Sequence, residues 1–310
     1  MTWLYLVLIA NLLGAFVVLI DKYLVGPRAI GRSEVYTFYI GILSSVVLVM
    51  VPFGSVSLPS LLIILISLIV GFGYMTSIIY FYKALQISDA SDVAPVLGAT
   101  AALSAFVFQI FFFGSTLSSY GFLAFILLVL GTAMMSYFRF NKKSLICVLV
   151  AGVLFGYSSI FLKILFDVTT FANGFFWSRM ANVVGALMLL VVPLNREIII
   201  KAIRTAKRST TSLVFVNKII AGSASFLSFV AIKMSSAPIV NALGGMQFVF
   251  LLAMAHFFPK FMPQHFETIH ERRDYEASLT YPRNFFFYKM IATIFIVFGF
   301  LLLFQQNGEY

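Results

Sequence analysis

The chain predicts an all-α integral membrane protein whose ten transmembrane helices form two inverted five-helix repeats. Three observations carry that expectation. Of its 310 residues, 61% are hydrophobic and 10% charged, with a mean hydropathy of +1.02, whereas an average soluble domain is about 25% charged. Ten apolar stretches are long enough to cross about 30 Å of hydrocarbon as helices, which satisfy their own backbone groups as lipid demands. The chain also repeats itself. Residues 9–24 align without a gap on residues 150–165, a spacing of 141, and a duplication of this length marks two halves, not a solenoid.

The spans are placed at 3–20, 35–53, 61–82, 93–113, 119–138, 145–165, 174–194, 213–234, 238–258 and 286–304. None alternates with the period of two that a barrel strand requires. The first span has no positively charged leader region or small-residue cleavage site before or after it, and is read as retained structure. Spans one and six carry the aligned stretch that ends on Lys22 and Lys163. Spans two and seven end alike, with Leu48 to Pro52 matching Leu189 to Pro193. Spans three and eight hold small-residue stretches around Gly71-Phe72-Gly73 and Ala221-Gly222-Ser223, expected to pack closely against neighbouring helices. Spans four and nine open on Ala94-Pro95 and Ala237-Pro238, now at a spacing of 143. Spans five and ten centre on Gly131 and Gly299, 168 apart, so the second half carries a 25-residue insertion, assigned to 259–284.

The halves are therefore 1–143 and 144–310. Five spans per half is an odd number of crossings, so the second half enters the membrane upside down. Secondary transporters use this plan, with the substrate near the midplane between halves.

Lysine and arginine orient the spans. The odd-numbered loops hold sixteen of the 21 basic residues, while the even loops and both tails hold only Lys163 and Lys233. The positive-inside rule then places the odd loops in the cytoplasm and both termini outside. Anionic lipid at that face accounts for the net charge of +10. Nucleic acid is not an expected partner, because these charges ring a membrane body and track no groove. Residues 196–208 put Ile198, Ile199, Ala202, Ile203 and Ala206 at helical spacing, the pattern of an amphipathic helix lying on the cytoplasmic face. The lone Cys147 excludes an internal disulfide.

Ionisable groups inside a span are costly and are functional candidates by default. Arg179 and Lys218 are the two read as interior, and either snorkelling to the interface or substrate contact accounts for each. Asn182 follows Arg179 by three positions and shares its helix face. Asn217, Asn241, Gln247 and Gln109 either line a cavity or link helices. Tyr74 and Trp177 are candidate cavity walls. The substrate-binding set is thus Arg179, Asn182, Lys218, Asn241, Gln247, Tyr74 and Trp177. Asp21, Glu34, Asp89, Asp92 and Asp167 fall at or near span ends, so no interior acid is expected in spans one and six.

Embedded cations without an embedded acid disfavour exchange of cationic drugs for protons and favour a neutral, zwitterionic or anionic metabolite. No catalytic residue, metal site or cofactor is expected. The nearest acid pair, Asp89 and Asp92, suits a turn and helix cap, and His256, His265 and His270 lack metal-ligand spacing. The alternatives to a carrier are a lipid-linked transferase or a channel.

These motifs resemble the drug/metabolite transporter superfamily, specifically its EamA-type members with ten spans. There the first span of each repeat ends with a lysine after small and apolar residues, as at Lys22 and Lys163. The second opens on an arginine and an apolar run, as at Arg179-Met180, with Phe38 in the first repeat. The fourth opens on a small residue and proline, as at Ala94-Pro95 and Ala237-Pro238. Gly114-Ser115 and Phe258-Pro259 stand where the family carries glycine-glutamate. The resemblance implies a secondary-active carrier of a small metabolite in the plasma or inner membrane. It also implies cytoplasmic termini, opposite to the charge count. The expected partners are the bilayer and a small-molecule substrate. The coupling ion, the direction of transport and the choice between monomer and homodimer stay open.

Overall fold

Every regular element among the described residues is a helix. The computed structural model describes residues 2–25, 30–54, 56–88, 90–114, 117–136, 141–205, 208–257 and 284–306. The insertion expected at 259–284 lies outside them, apart from its final residue.

In chain order the helices are α1 (Thr2–Val25), α2 (Ser33–Leu43) continued by a 3-10 segment (Ser44–Phe53), α3 (Leu61–Ile87), α4 (Ala90–Phe113), α5 (Ser119–Met134) and α6 (Lys142–Val168). They are followed by α7 (Phe171–Leu189), α8 (Pro193–Thr205), α9 (Arg208–Met234), α10 (Ala237–Ala242) with a 3-10 turn (Leu243–Gly245), α11 (Met246–Phe257) and α12 (Asn284–Gln306). Local chemistry sets several of their starts. Ser60, Ser118, Asn141 and Thr170 each accept a hydrogen bond from a first-turn backbone N–H of α3, α5, α6 and α7, which satisfies donors that a helix cannot use internally.

Six helices are long and apolar enough to cross a membrane, or seven if the bent pair of α7 and α8 counts as one span. The segments at Ser119–Met134, Ala237–Leu251 and Tyr288–Phe304 are shorter apolar helices. Large apolar side chains cover the outside, among them Leu62, Val107, Phe111, Leu187, Phe215, Ile294 and Leu301. A soluble protein rarely exposes so continuous an apolar surface. A multi-pass membrane protein accounts for both observations.

The expected amphipathic helix is α8. It turns 103° away from α7, buries Ile199 against a small core of Val35, Phe38, Met75 and Ala186, and exposes Arg196, Lys201 and Arg204. In the interior, α3 lies against α6 and α7, α4 against α6, α1 against α9, and α5 against α12. Gly71 and Gly73 make the α3 crossings close, as their spacing suggests: a Cβ at Gly71 would stand 2.6 Å from the Cβ of Ala181, and one at Gly73 would strike Ser158 Oγ. The matching expectation for α9 is corrected. Gly222 is exposed and has nothing within 4 Å of its Cβ position, so that stretch is not a close-packing surface.

Candidate functional site

Tyr74 is the central residue of α3, and Arg179 lies within one residue of the centre of α7. Both are therefore far from either end of their helices. The Arg179 residue is 9% exposed. Its guanidinium lies 4.6 Å from the ring centroid of Phe229 on α9 and 5.3 Å from that of Phe175, one turn earlier on α7. Two aromatic faces stabilise the cation without neutralising it. Tyr74 reaches it from α3 and supplies a hydroxyl. Arg179 Nη2 nevertheless has no hydrogen-bond partner, and no carboxylate pairs with Arg179 among the described residues. One turn further along α7, Asn182 is 4% exposed and its Oδ1 is also without a partner.

Closer to the odd-loop ends, Asp21 gathers four donors from three helices. It accepts hydrogen bonds from Tyr36 on α2, Tyr82 on α3 (3.0 Å), and Asn217 (2.6 Å) and Lys218 (2.8 Å) on α9. The Tyr36 hydroxyl in turn accepts from Asn217 Nδ2 at 3.1 Å, and the Lys218 ammonium sits 4.5 Å from the Tyr36 ring centroid. The Asp21–Lys218 pair is almost entirely out of water, with side chains 6% and 9% exposed. Its extra hydrogen bonds are what make such burial tolerable. Tyr74, Ile78 and Tyr82 follow each other at intervals of four on α3. This face places the Arg179 site and the Asp21 network roughly 12 Å apart along one helix.

The structure thus sets Tyr74 near Arg179 and Asn182 one turn further along α7, with Lys218 at the other end of the tyrosine row. It sets the remaining candidates elsewhere. The Trp177 indole N–H donates to Ser57 O (3.3 Å) and Asn173 Oδ1 (3.2 Å), which ties the loop before α3 to the start of α7. Asn241 donates to Ser159 Oγ at 2.7 Å and links α10 to α6. Gln247 lies against Gly14, where an added Cβ would be 2.7 Å from its Oε1. Beside it, the Leu243 carbonyl of the 3-10 turn in the ninth apolar segment accepts the Met246 backbone N–H and also Asn11 Nδ2 of α1, at 2.9 Å.

One expectation about acids is overturned. Asp21 is not at a span end: α1 continues to Val25 and buries the carboxylate at 4% exposure. The signal was present in Tyr23, Leu24 and Val25, an apolar run after Lys22 that carries the helix one more turn. Tyr36 and Phe229 were missed because only the fold brings them to these charges. Asp92 is also buried and accepts from Ser136 at 3.1 Å, while Asp89 lies outside the described residues.

No protein-family model matches the chain, and no curated protein does. A solved structure described only as "Crystal structure of protein" is similar in fold, with a TM-score of 0.59 at 15% identity over 94% of this chain and 97% of that one. That likeness extends to the fold alone.

Proposed function

We propose that the chain is a secondary-active transporter, on the plan of the drug/metabolite transporter superfamily, that carries a small metabolite bearing a negative group across a plasma or inner membrane. The observation that carries this reading is Arg179, a guanidinium near mid-helix with an unpartnered donor and no opposing carboxylate among the described residues. A buried, uncompensated cation is costly. An anionic ligand that pairs with it removes that cost, and a guanidinium matches the planar geometry of a carboxylate.

Packing supports the ten-span, inverted-repeat part of the proposal. Exchanging the halves carries the α1–α9 pair into α6–α3, the α4–α6 pair into the ninth segment against α1, and α5–α12 into itself, and each of these pairs is in contact. The exchange departs furthest between α3 and α7. α3 packs along much of α7, whereas α9 meets α2 mainly near Tyr36 and Asn217. Alternating access requires such a difference between the two sides at any one moment. On this reading the Asp21 network closes the odd-loop side, because it ties α1, α2 and α3 of the first half to α9 of the second.

The test uses purified full-length protein. Thermal-shift and proteoliposome uptake measurements against carboxylates, phosphorylated metabolites, sugars, nucleosides and organic cations should show stabilisation and flux with anionic compounds. Both should disappear in Arg179→Gln. Equal responses of wild type and Arg179→Gln to every compound would overturn the proposal.

A further inference from the structure

We infer that the Arg179 site selects a small 2-hydroxy monocarboxylate, and that Asn182 is the residue that reads the hydroxyl. The inference rests on the transport reading above and names the substrate class of that same site.

Charge sets the first half of the argument. Along the tyrosine row the described charged side chains are Arg179 at one end and the Asp21–Lys218 pair at the other. The pair is internally neutral, so one positive charge is left. A ligand with a single negative charge cancels it. A dianion leaves an excess negative charge in a site of low dielectric, and an organic cation adds to the charge already there.

Polar valence sets the second half. Six buried side-chain atoms lack a hydrogen-bond partner among the described residues, on Thr37, Ser67, Arg179, Asn182, Asn217 and Ser236, and Arg179 Nη2 is the one that belongs to an ionised group. Asn182 Oδ1 is the only one of the others within a turn of it on the same helix, at three positions' spacing. Arg179 offers a donor and Asn182 Oδ1 requires one. A ligand that satisfies both carries a carboxylate and, adjacent to it, an O–H or N–H. The Asn182 carbonyl oxygen is neutral, and the one carboxylate joined to this row, Asp21, already accepts four hydrogen bonds. An ammonium at this position is therefore left without a counter-charge, whereas a hydroxyl needs none. A hydroxyl fits and an α-ammonium does not. The rings of Phe175 and Phe229, which meet edge to face 6.1 Å apart beside the guanidinium, make that wall of the site apolar and favour a ligand whose remainder is short and apolar.

The experiment measures equilibrium binding and thermal shift of the full chain in nanodiscs with 2-hydroxypropionate, propionate, alanine and succinate. A buried acceptor left unpaired by the wrong ligand is penalised, so 2-hydroxypropionate should bind at least about tenfold more tightly than propionate in wild type. Alanine and succinate should bind more weakly than either. Asn182→Ala should bring 2-hydroxypropionate down to the affinity that the same variant shows for propionate. Asn182→Asp, which places a counter-charge beside the guanidinium, should raise alanine above 2-hydroxypropionate. Unliganded melting temperature and elution volume identify variants that fail to fold, and either Asn182 variant alone tests the claim. Carboxylate binding that ignores the hydroxyl, or a hydroxyl preference unchanged in both variants, overturns this inference and leaves the transport reading standing. Absence of binding by all four acids, with binding by another anionic compound, also overturns it alone. No binding by any anion overturns both.

Discussion

Asp21 and Lys218 show how little a residue's own identity says about its role. Each is costly inside a membrane, and here each answers the other at 2.8 Å, with Tyr36, Tyr82 and Asn217 completing the carboxylate's shell. Removing one partner of such a buried pair leaves a lone charge and costs about 3–5 kcal/mol, whereas replacing both by apolar groups can be nearly neutral. Thermal unfolding in detergent should therefore show Asp21→Ala and Lys218→Met each strongly destabilised and the double variant clearly less so. Additive losses would mean that the two groups do not act as a pair. Arg179 differs because it has no counter-charge among the described residues. Arg179→Lys keeps the charge but loses the planar fork and its contacts with the Phe175 and Phe229 rings, so ligand affinity should fall by at least about tenfold with only a small change in unliganded melting temperature. Unchanged affinity would show that the site reads charge alone. Arg179 and Asn182 were legible in the sequence, since an arginine in an apolar run and an asparagine one turn later on the same face are a readable pattern. The partners of Lys218, Asp21 and Tyr36, were not, because they come from helices 197 and 182 positions away.

Helices meet here through small residues, and the closeness of their axes is what lets short side chains reach across. Gly156 of α6 lies directly on α4, where a Cβ would stand 2.8 Å from the backbone nitrogen of Ala105 and strike Ala101 O and Ser104 Oγ. In lipid the helices gain no hydrophobic drive toward one another, so contact of this kind and interhelical hydrogen bonds hold them together. Ser77 to Ala151 O (2.7 Å) and Ser144 to Ala84 O (3.4 Å) perform that role between α3 and α6. Gly156→Leu should accordingly abolish monodisperse expression, while Gly222→Leu, which faces open space on α9, should behave as wild type in size-exclusion chromatography. Equal behaviour of the two variants would contradict the packing. The pattern of small residues announced both surfaces, yet only one is an interface. Composition records that a backbone can be approached, and the helix's rotation decides whether anything approaches it. The same limit applies to the ninth segment. There Asn11 of α1 adds a hydrogen bond to a carbonyl of the 3-10 turn, a contact that only the packing of α1 supplies.

At the scale of the whole molecule, the proposed inverted-repeat plan pairs two halves that differ in chemistry. At the spacing of 141, Arg179 corresponds to Phe38, and Asp21 to Leu162. Phe38 packs in the small core beside α8, and Leu162 in the main core. Each charged group thus has an apolar counterpart in the other half, and the polar row is a feature of one arrangement of the pair. Orientation follows from charge: with Cys147 replaced by serine, Gln86→Cys at the end of α3 should react with an impermeant maleimide only after the cells are permeabilised, and Leu58→Cys, in the loop before α3, should react on intact cells. The reverse labelling would place the termini in the cytoplasm. The sequence by itself determined the solvent, the helical class and the duplication, because each is written in composition and periodicity and needs no partner to be read. Only the tertiary structure decided which charges are paired. Whether a buried ion is a latch or a binding site depends on what stands within about 3 Å of it, and those neighbours arrive from other helices through packing.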